Sequence, residues 1–369
     1  MTACKNENVS KKCYLCILLS RMKKYLKDIV KLIIFLALGF FFVWLSLKDL
    51  TPEDRSQLWI NARNAFSGNG WIFLVLCALI GILSVWLRGR RSVIMLEPMN
   101  YHVKSTMAYH SVMIGYLANL AIPRLGEILR CTILQKYEHV PFQKSFGTVV
   151  TERVLDVLIC GLVFVAAFIL ESDRLTTIFV ENHVADNIVN MLSGVTKYIV
   201  IAGLILIIVL IYIFRKWILQ FKIVQKIKQV LLGFWEGLIS IKNTKHPVRF
   251  IVYSLSIWVC YYFMFFVATF AFPELVSTLG VRVALASLSC VVIGTLGFIV
   301  AQGGLGAYPL LVSMVLALYG MGAEVGLAVG WVIWAVESAM YLMMGLLSLV
   351  VISFTHETTR TETVENHQN

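Results

Sequence analysis

The sequence predicts an all-α, polytopic helical membrane protein. About six full spans and two re-entrant broken-helix hairpins are expected, arranged as an inverted repeat. Three observations predict this. Hydrophobic residues make up 59% and charged residues only 14% of the 369 positions, with a mean hydropathy of +0.80. An ordinary globular chain is roughly half apolar and about a quarter charged. Apolar runs such as Leu32–Leu47, Val157–Leu170 with its lead-in, Tyr198–Phe214 and Ile251–Phe272 approach or reach the roughly 20 residues that a crossing helix needs. Lysine and arginine gather between those runs. The composition excludes a disordered chain, a collagen-like repeat and a disulfide scaffold.

Residues 1–28 form a basic N-terminal segment with seven Lys and Arg, and Met22 reads like a natural start directly ahead of the first apolar run. That run, about 29–47, ends in Trp44-Leu45-Ser46-Leu47-Lys48. It lacks a small-residue cleavage site and is expected to be a retained helix rather than a signal peptide. Segments 88–104, 123–146 and 215–249 carry four, four and eight bases, whereas 48–70, 171–197 and 271–282 carry three, two and one. The positive-inside rule assigns the rich blocks to the cytoplasm. The net charge of +11 therefore orients the chain and does not indicate nucleic acid as a partner.

Crossings then follow in order. Helix 29–47 leaves the cytoplasm, 71–87 returns, and 147–170 leaves again. Segment 105–136 has both ends inside and holds His110, Asn119, Pro123, Arg124, Glu127 and Arg130, so it is expected to be a hairpin broken near Pro123. The second half inverts the order: 198–214 enters, 250–271 leaves and 324–353 enters. Between the last two lie 283–300 and 306–319, separated by Gln302-Gly303-Gly304-Leu305-Gly306. The second piece is short for a bilayer core of about 30 Å. Residues 29–353 thus form one transmembrane domain, with halves 29–170 and 198–353, followed by a polar cytoplasmic tail at 354–369. Paired broken helices in inverted repeats belong to secondary transporters, because irregular backbone at membrane depth survives only inside protein or beside a cavity.

Four groups of residues could carry function. In Asn119-Leu120-Ala121-Ile122-Pro123-Arg124-Leu125-Gly126-Glu127-Ile128-Leu129-Arg130, proline breaks one helix and can open another. Arg124, Glu127 and Arg130 follow at three-residue intervals and are expected to share a stripe. Arginine presents a planar fork of donors that suits phosphate. A helix N-terminus beside two arginines suits an anionic headgroup. In Thr151-Glu152-Arg153-Val154-Leu155-Asp156, Glu152 and Asp156 share a helix face, with Arg124, Glu127 and Arg130 as the expected partners. Either a closed salt network or a ligand site fits that charge balance. The break with Gln302, Gly303, Gly304 and Gly306 could expose amides to a ligand or serve close packing. Glu337, beside Trp334 and Ser338 in the last span, is either a proton site or a partner for a backbone or tryptophan donor.

The catalytic motifs sought do not occur: no Ser–His–Asp order, metallohydrolase histidine pair, phosphate-binding glycine loop or dinucleotide fingerprint. Cys13-x-x-Cys16 has redox or metal spacing, but no second pair or histidine completes a site. Cys77, Cys160, Cys260 and Cys290 lie in apolar runs and read as small core residues. His102, His110 and His139 lack metal-ligand spacing. No metal or cofactor is expected.

At these residues the chain resembles the flippase-like family, also called the lysylphosphatidylglycerol synthase transmembrane-region family. The motifs are Asn119…Pro123-Arg124-x-Gly126-Glu127-x-x-Arg130, Glu152-Arg153-x-x-Asp156 and Gly303-Gly304-Leu305-Gly306. The likeness covers roughly residues 25–350. An acidic residue usually follows the family's last glycines; Tyr308-Pro309 stands here. The resemblance implies transfer of a phospholipid or polyprenyl-phosphate-linked lipid between leaflets of the plasma (inner) membrane, and the charge pattern puts both termini in the cytoplasm. Some relatives carry a separate soluble aminoacyl-transferase domain, which is not expected in this chain. The resemblance leaves two rivals: a membrane-embedded transferase, and an accessory subunit of a separate synthase. Expected partners are a membrane lipid as substrate and a second copy of the chain or a separate lipid-modifying enzyme.

Overall fold

The computed structural model describes residues 37–122, 124–171 and 246–365, and every described element is helical. In chain order these are α1 (Ala37–Leu47 in its described part), α2 (Pro52–Ala65), α3 (Gly70–Leu96), α4 (Ser105–Ala121), α5 (Leu125–Glu138) and α6 (Phe142–Leu170). There follow α7 (Pro247–Thr269), α8 (Pro273–Leu279), α9 (Val283–Val300), α10 (Ala307–Leu318) and α11 (Ala323–Glu365). Five described stretches are long and apolar enough to cross a membrane: Gly70–Met99, Phe142–Leu170, Pro247–Thr269, Pro273–Val300 and Ala323–Phe354. The chain is an all-α, multi-pass membrane protein. The expected span 198–214 and the Cys13-x-x-Cys16 pair lie outside the described residues.

Two bounds differ from the sequence reading, each for a physical reason. The second helix does not stop at 87, because Val93, Ile94, Met95 and Leu96 resume the apolar pattern after the arginines. Arg88, Arg90 and Arg91 are therefore helical residues and not loop charges. The expected base-poor loop at 271–282 is instead largely the short helix α8 and a 3-10 turn, Gly280–Arg282. Pro273 opens α8 at its first position, where a missing N–H costs no helical bond. It leads into α9, whose 18 residues extend about 27 Å. By length this first arm is no half-helix. The second arm, α10, has 12 residues and extends only about 18 Å.

The chain divides into two compact units that interleave along the sequence: Met1–Val85, Tyr109–Ile133 and Cys260–Asn369 form one, and Trp86–Ala108 with Leu134–Val259 the other. The core of the first joins Leu74 and Cys77 of α3, Phe265 and Ala268 of α7, Cys290 of α9, Val312 and Leu316 of α10, and Ala328 and Ile333 of α11. Close backbone approach makes this possible between α10 and α11. A Cβ on Gly330 would lie 2.6 Å from Pro309 Cα, and one on Gly326 would lie 2.9 Å from Ser313 Cα. Small residues four apart allow such contact where no water drives helices together. Gly320 at φ 82° ends α10, with Met321 N–H donating to Leu316 O, a left-handed cap. The second unit has a smaller apolar cluster of Leu96, Val103, Ala108, Leu134 and Val140.

Candidate functional site

Both expected breaks exist, and both lie in the first unit. At the first, α4 ends at Ala121 and α5 begins at Leu125; Pro123 lies outside the described residues. The amide of Gly126 donates to Asn119 Oδ1 at 2.8 Å, so the side chain of the outgoing helix satisfies an orphan amide of the incoming one. Gly126 sits against the backbone carbonyl of Gly115 where any side chain would collide. Arg124 has φ 63° and is exposed, a left-handed conformation that costs a non-glycine residue roughly 1 kcal/mol or more. The expected stripe is therefore incomplete. Glu127 and Arg130 belong to α5 and turn inward, Arg130 to 7% exposure, but Arg124 precedes the helix and points away from burial.

At the second break Gly303, Gly304 and Gly306 have φ values of 56°, 74° and 71°. Three left-handed positions in four residues explain the glycines better than packing alone. Gln302 forms part of the same 3-10 turn. Gly306 abuts the α1 backbone at Phe42 and Val43, and a Cβ on Gly303 would lie 3.8 Å from the Leu120 side chain. The end of α4 thus reaches the second break. Helix α11 braces both. Trp334 Nε1 donates to Gly303 O at 2.7 Å, the Tyr341 ring stacks on Tyr116 of α4 at 4.6 Å, and Gly345 admits Leu117. Farther along, His110 Nδ1 lies 3.0 Å from Ser348 Oγ.

The second unit holds a buried charged network. On α6, Glu152 and Asp156 are 1% and 7% exposed. Arg88 Nη1 lies 3.0 Å from Asp156 Oδ2, and Arg91 approaches Asp156 through two nitrogens at 2.7 and 3.3 Å. Arg91 Nη2 also lies 3.7 Å from Glu152 Oε2, and its Nη1 lies 3.3 Å from Ser254 Oγ on α7. Arg91 is wholly buried. Two cations three apart on α3 face two anions four apart on α6, so the four charges cancel. Arg90 departs from this face: it donates to Ser105 Oγ at 2.6 Å and lies over the Trp86 ring. Arg153 is exposed. Arg91 Nε, Ser92 Oγ and Ser145 Oγ are buried without a hydrogen-bond partner among the described residues, the condition in which water or a ligand group completes a site.

Residues 29–345 match the family described as the lysylphosphatidylglycerol synthase TM region. The chain belongs to that family. No curated protein and no solved structure matches it.

Within this family member, the structure gives Glu152 and Asp156 partners that the sequence reading did not name. Arg124, Glu127 and Arg130 were expected; Arg88 and Arg91 are found. The signal was present in Arg88-x-x-Arg91 at helical spacing, followed by renewed apolar residues with no intervening proline. Glu337, half-buried on α11, makes no hydrogen bond or ion pair among the described residues, and the Trp334 donor goes to Gly303 O instead. Asn119, Arg124, Gly126, Glu127, Arg130, the glycines of the second break and Glu337 share the first unit; Glu152, Arg153 and Asp156 belong to the other. No group of three or more potential metal ligands gathers among the described residues.

Proposed function

We propose that this protein carries a lipid with a phosphate-bearing headgroup between the leaflets of the plasma (inner) membrane. The observation that carries this reading is the meeting of two broken helices at Leu120 and Gly303, both braced by α11. Broken backbone at membrane depth fits a cavity wall, and such breaks present helix ends to charged cargo. The family's description links its members to a lysine-bearing phospholipid, which supports a lipid cargo. Arg124, exposed at the mouth of α5, engages the headgroup phosphate, with Arg130 of the same helix as a further cationic contact. Glu127 is the nearest resting counter-charge on α5. Glu152 and Asp156 hold Arg88 and Arg91 in a neutral network that gives α3, α6 and α7 a fixed arrangement.

The same network disfavours Glu152 and Asp156 as the base of a transferase. A carboxylate serving as general base must be free to take a proton, whereas Asp156 is held by Arg88 and Arg91, and Glu152 faces Arg91. Both termini face the cytoplasm in this reading, on the strength of the base-rich segments. The test is Arg124→Ala in purified, reconstituted protein. It should keep the wild-type unfolding temperature and lose at least tenfold in leaflet exchange; unchanged exchange would remove Arg124 from the pathway.

A further inference from the structure

Glu337 lies near the middle of the apolar stretch Ala323–Phe354, and the function above leaves its carboxyl unused. Helical phase sets it on the stripe of Ile333 and Met340, which are 0% and 1% exposed, and not with the outward-facing Leu342 and Leu346. That stripe packs on α3, where a Cβ at Gly81 would lie 2.6 Å from the Met340 sulfur. Cys77, one turn before Gly81, is within electrostatic reach of Glu337. So is Tyr308 at the start of α10, which in turn neighbours Cys290 of α9. Among the described residues, the titratable groups within reach of Glu337 are thus the Cys77 thiol of α3 and the Tyr308 phenol of α10, with the Cys290 thiol beside Tyr308. None of these is a cation.

An ionisable group placed so deep in an apolar span is costly and is by default a functional-site candidate, ion and proton pathways being among its uses. Glu337 also stands one turn beyond Trp334, whose ring N–H holds the carbonyl of Gly303 at 2.7 Å. The carboxyl and the hinge therefore share one short segment of α11. We propose that Glu337 takes up and releases a proton during the transport cycle, its charged form requiring the Gly303–Gly306 break to admit water. The proton comes from bulk water and returns there, and no other bond forms or breaks. This inference rests on the lipid-transport reading and adds the ion that drives or gates it.

The test uses the full chain in proteoliposomes with two readouts. Infrared difference spectra between acid and alkaline pH, taken for wild type and Glu337→Gln, should contain a carboxylic-acid carbonyl band that the variant lacks. Lipid exchange should vary with pH in wild type, by up to about tenfold per pH unit for one proton, and become flat in Glu337→Gln. Glu337→Asp should restore the dependence, which separates lost protonation from lost packing should the glutamine variant fold poorly. Identical infrared spectra for wild type and Glu337→Gln overturn the proposal, as does a pH profile of exchange that the variant preserves. If no lipid exchanges in wild type, the transport reading falls, while the infrared band still decides whether Glu337 binds a proton.

Discussion

Arg91 is the most consequential side chain in the second unit because it is wholly buried and touches Asp156, Glu152 and Ser254 together. Removing one partner of a buried pair strands the other, at a cost of about 3–5 kcal/mol. Arg91→Ala should therefore lower the unfolding temperature in detergent sharply, with Asp156→Ala behaving alike. Replacing all four charges together, Arg88→Met, Arg91→Met, Glu152→Leu and Asp156→Leu, should recover much of that loss, since apolar substitutes of similar volume commonly replace a whole buried charge network without penalty. Equal losses in the single and fourfold variants would deny the coupling. Arg124 offers the opposite case. Its left-handed backbone suits glycine, so Arg124→Gly should gain roughly 1 kcal/mol of stability while lipid exchange falls. Stability and function would then move in opposite directions at one residue. The sequence made the inward carboxylates Glu152 and Asp156 legible through helical phase. Their partners were hidden because three arginines in four positions resemble an orienting loop unless the apolar residues beyond them are weighed.

The helices follow the same logic of local chemistry against context. The breaks were legible: proline at 123 and glycines at 303, 304 and 306 leave few alternatives to interrupted helix. The stripe through Arg124, Glu127 and Arg130 was misread, since α5 starts only at Leu125 and a residue before the first turn does not share its phase. Likewise α8 was read as loop, although Pro273 and Glu274 at its start supply the proline and acid that favour a helix N-terminus. The contact between α10 and α11 depends on glycine. Gly330→Ala would bring a methyl group against the Pro309 backbone, and overpacking of this kind costs about 1–3 kcal/mol. Thermal unfolding should detect that loss, whereas Gly161→Ala, with nothing within 4 Å of the added Cβ, should match wild type. Equal behaviour of the two variants would contradict the close approach.

At the scale of the molecule, composition was enough to establish a multi-pass membrane protein, and the family match over residues 29–345 agrees with it. Charge predicts an orientation because lysine and arginine resist translocation, yet that rule counts charges without placing them. Arg88 and Arg91 were therefore counted correctly as basic and placed wrongly as loop. Interleaving of the two compact units was invisible for a different reason: it depends on contacts between residues far apart in sequence, which no local pattern encodes. Movement of lipid across the bilayer is decided by reconstituting the purified chain in liposomes with short-chain fluorescent phospholipids or polyprenyl phosphates and adding a membrane-impermeant quencher. The quenched fraction should rise from the outer-leaflet share towards completion for at least one phosphate-bearing headgroup, and Arg124→Ala should abolish the rise. A quenched fraction fixed at the outer-leaflet share for every one of these lipids would overturn lipid transport.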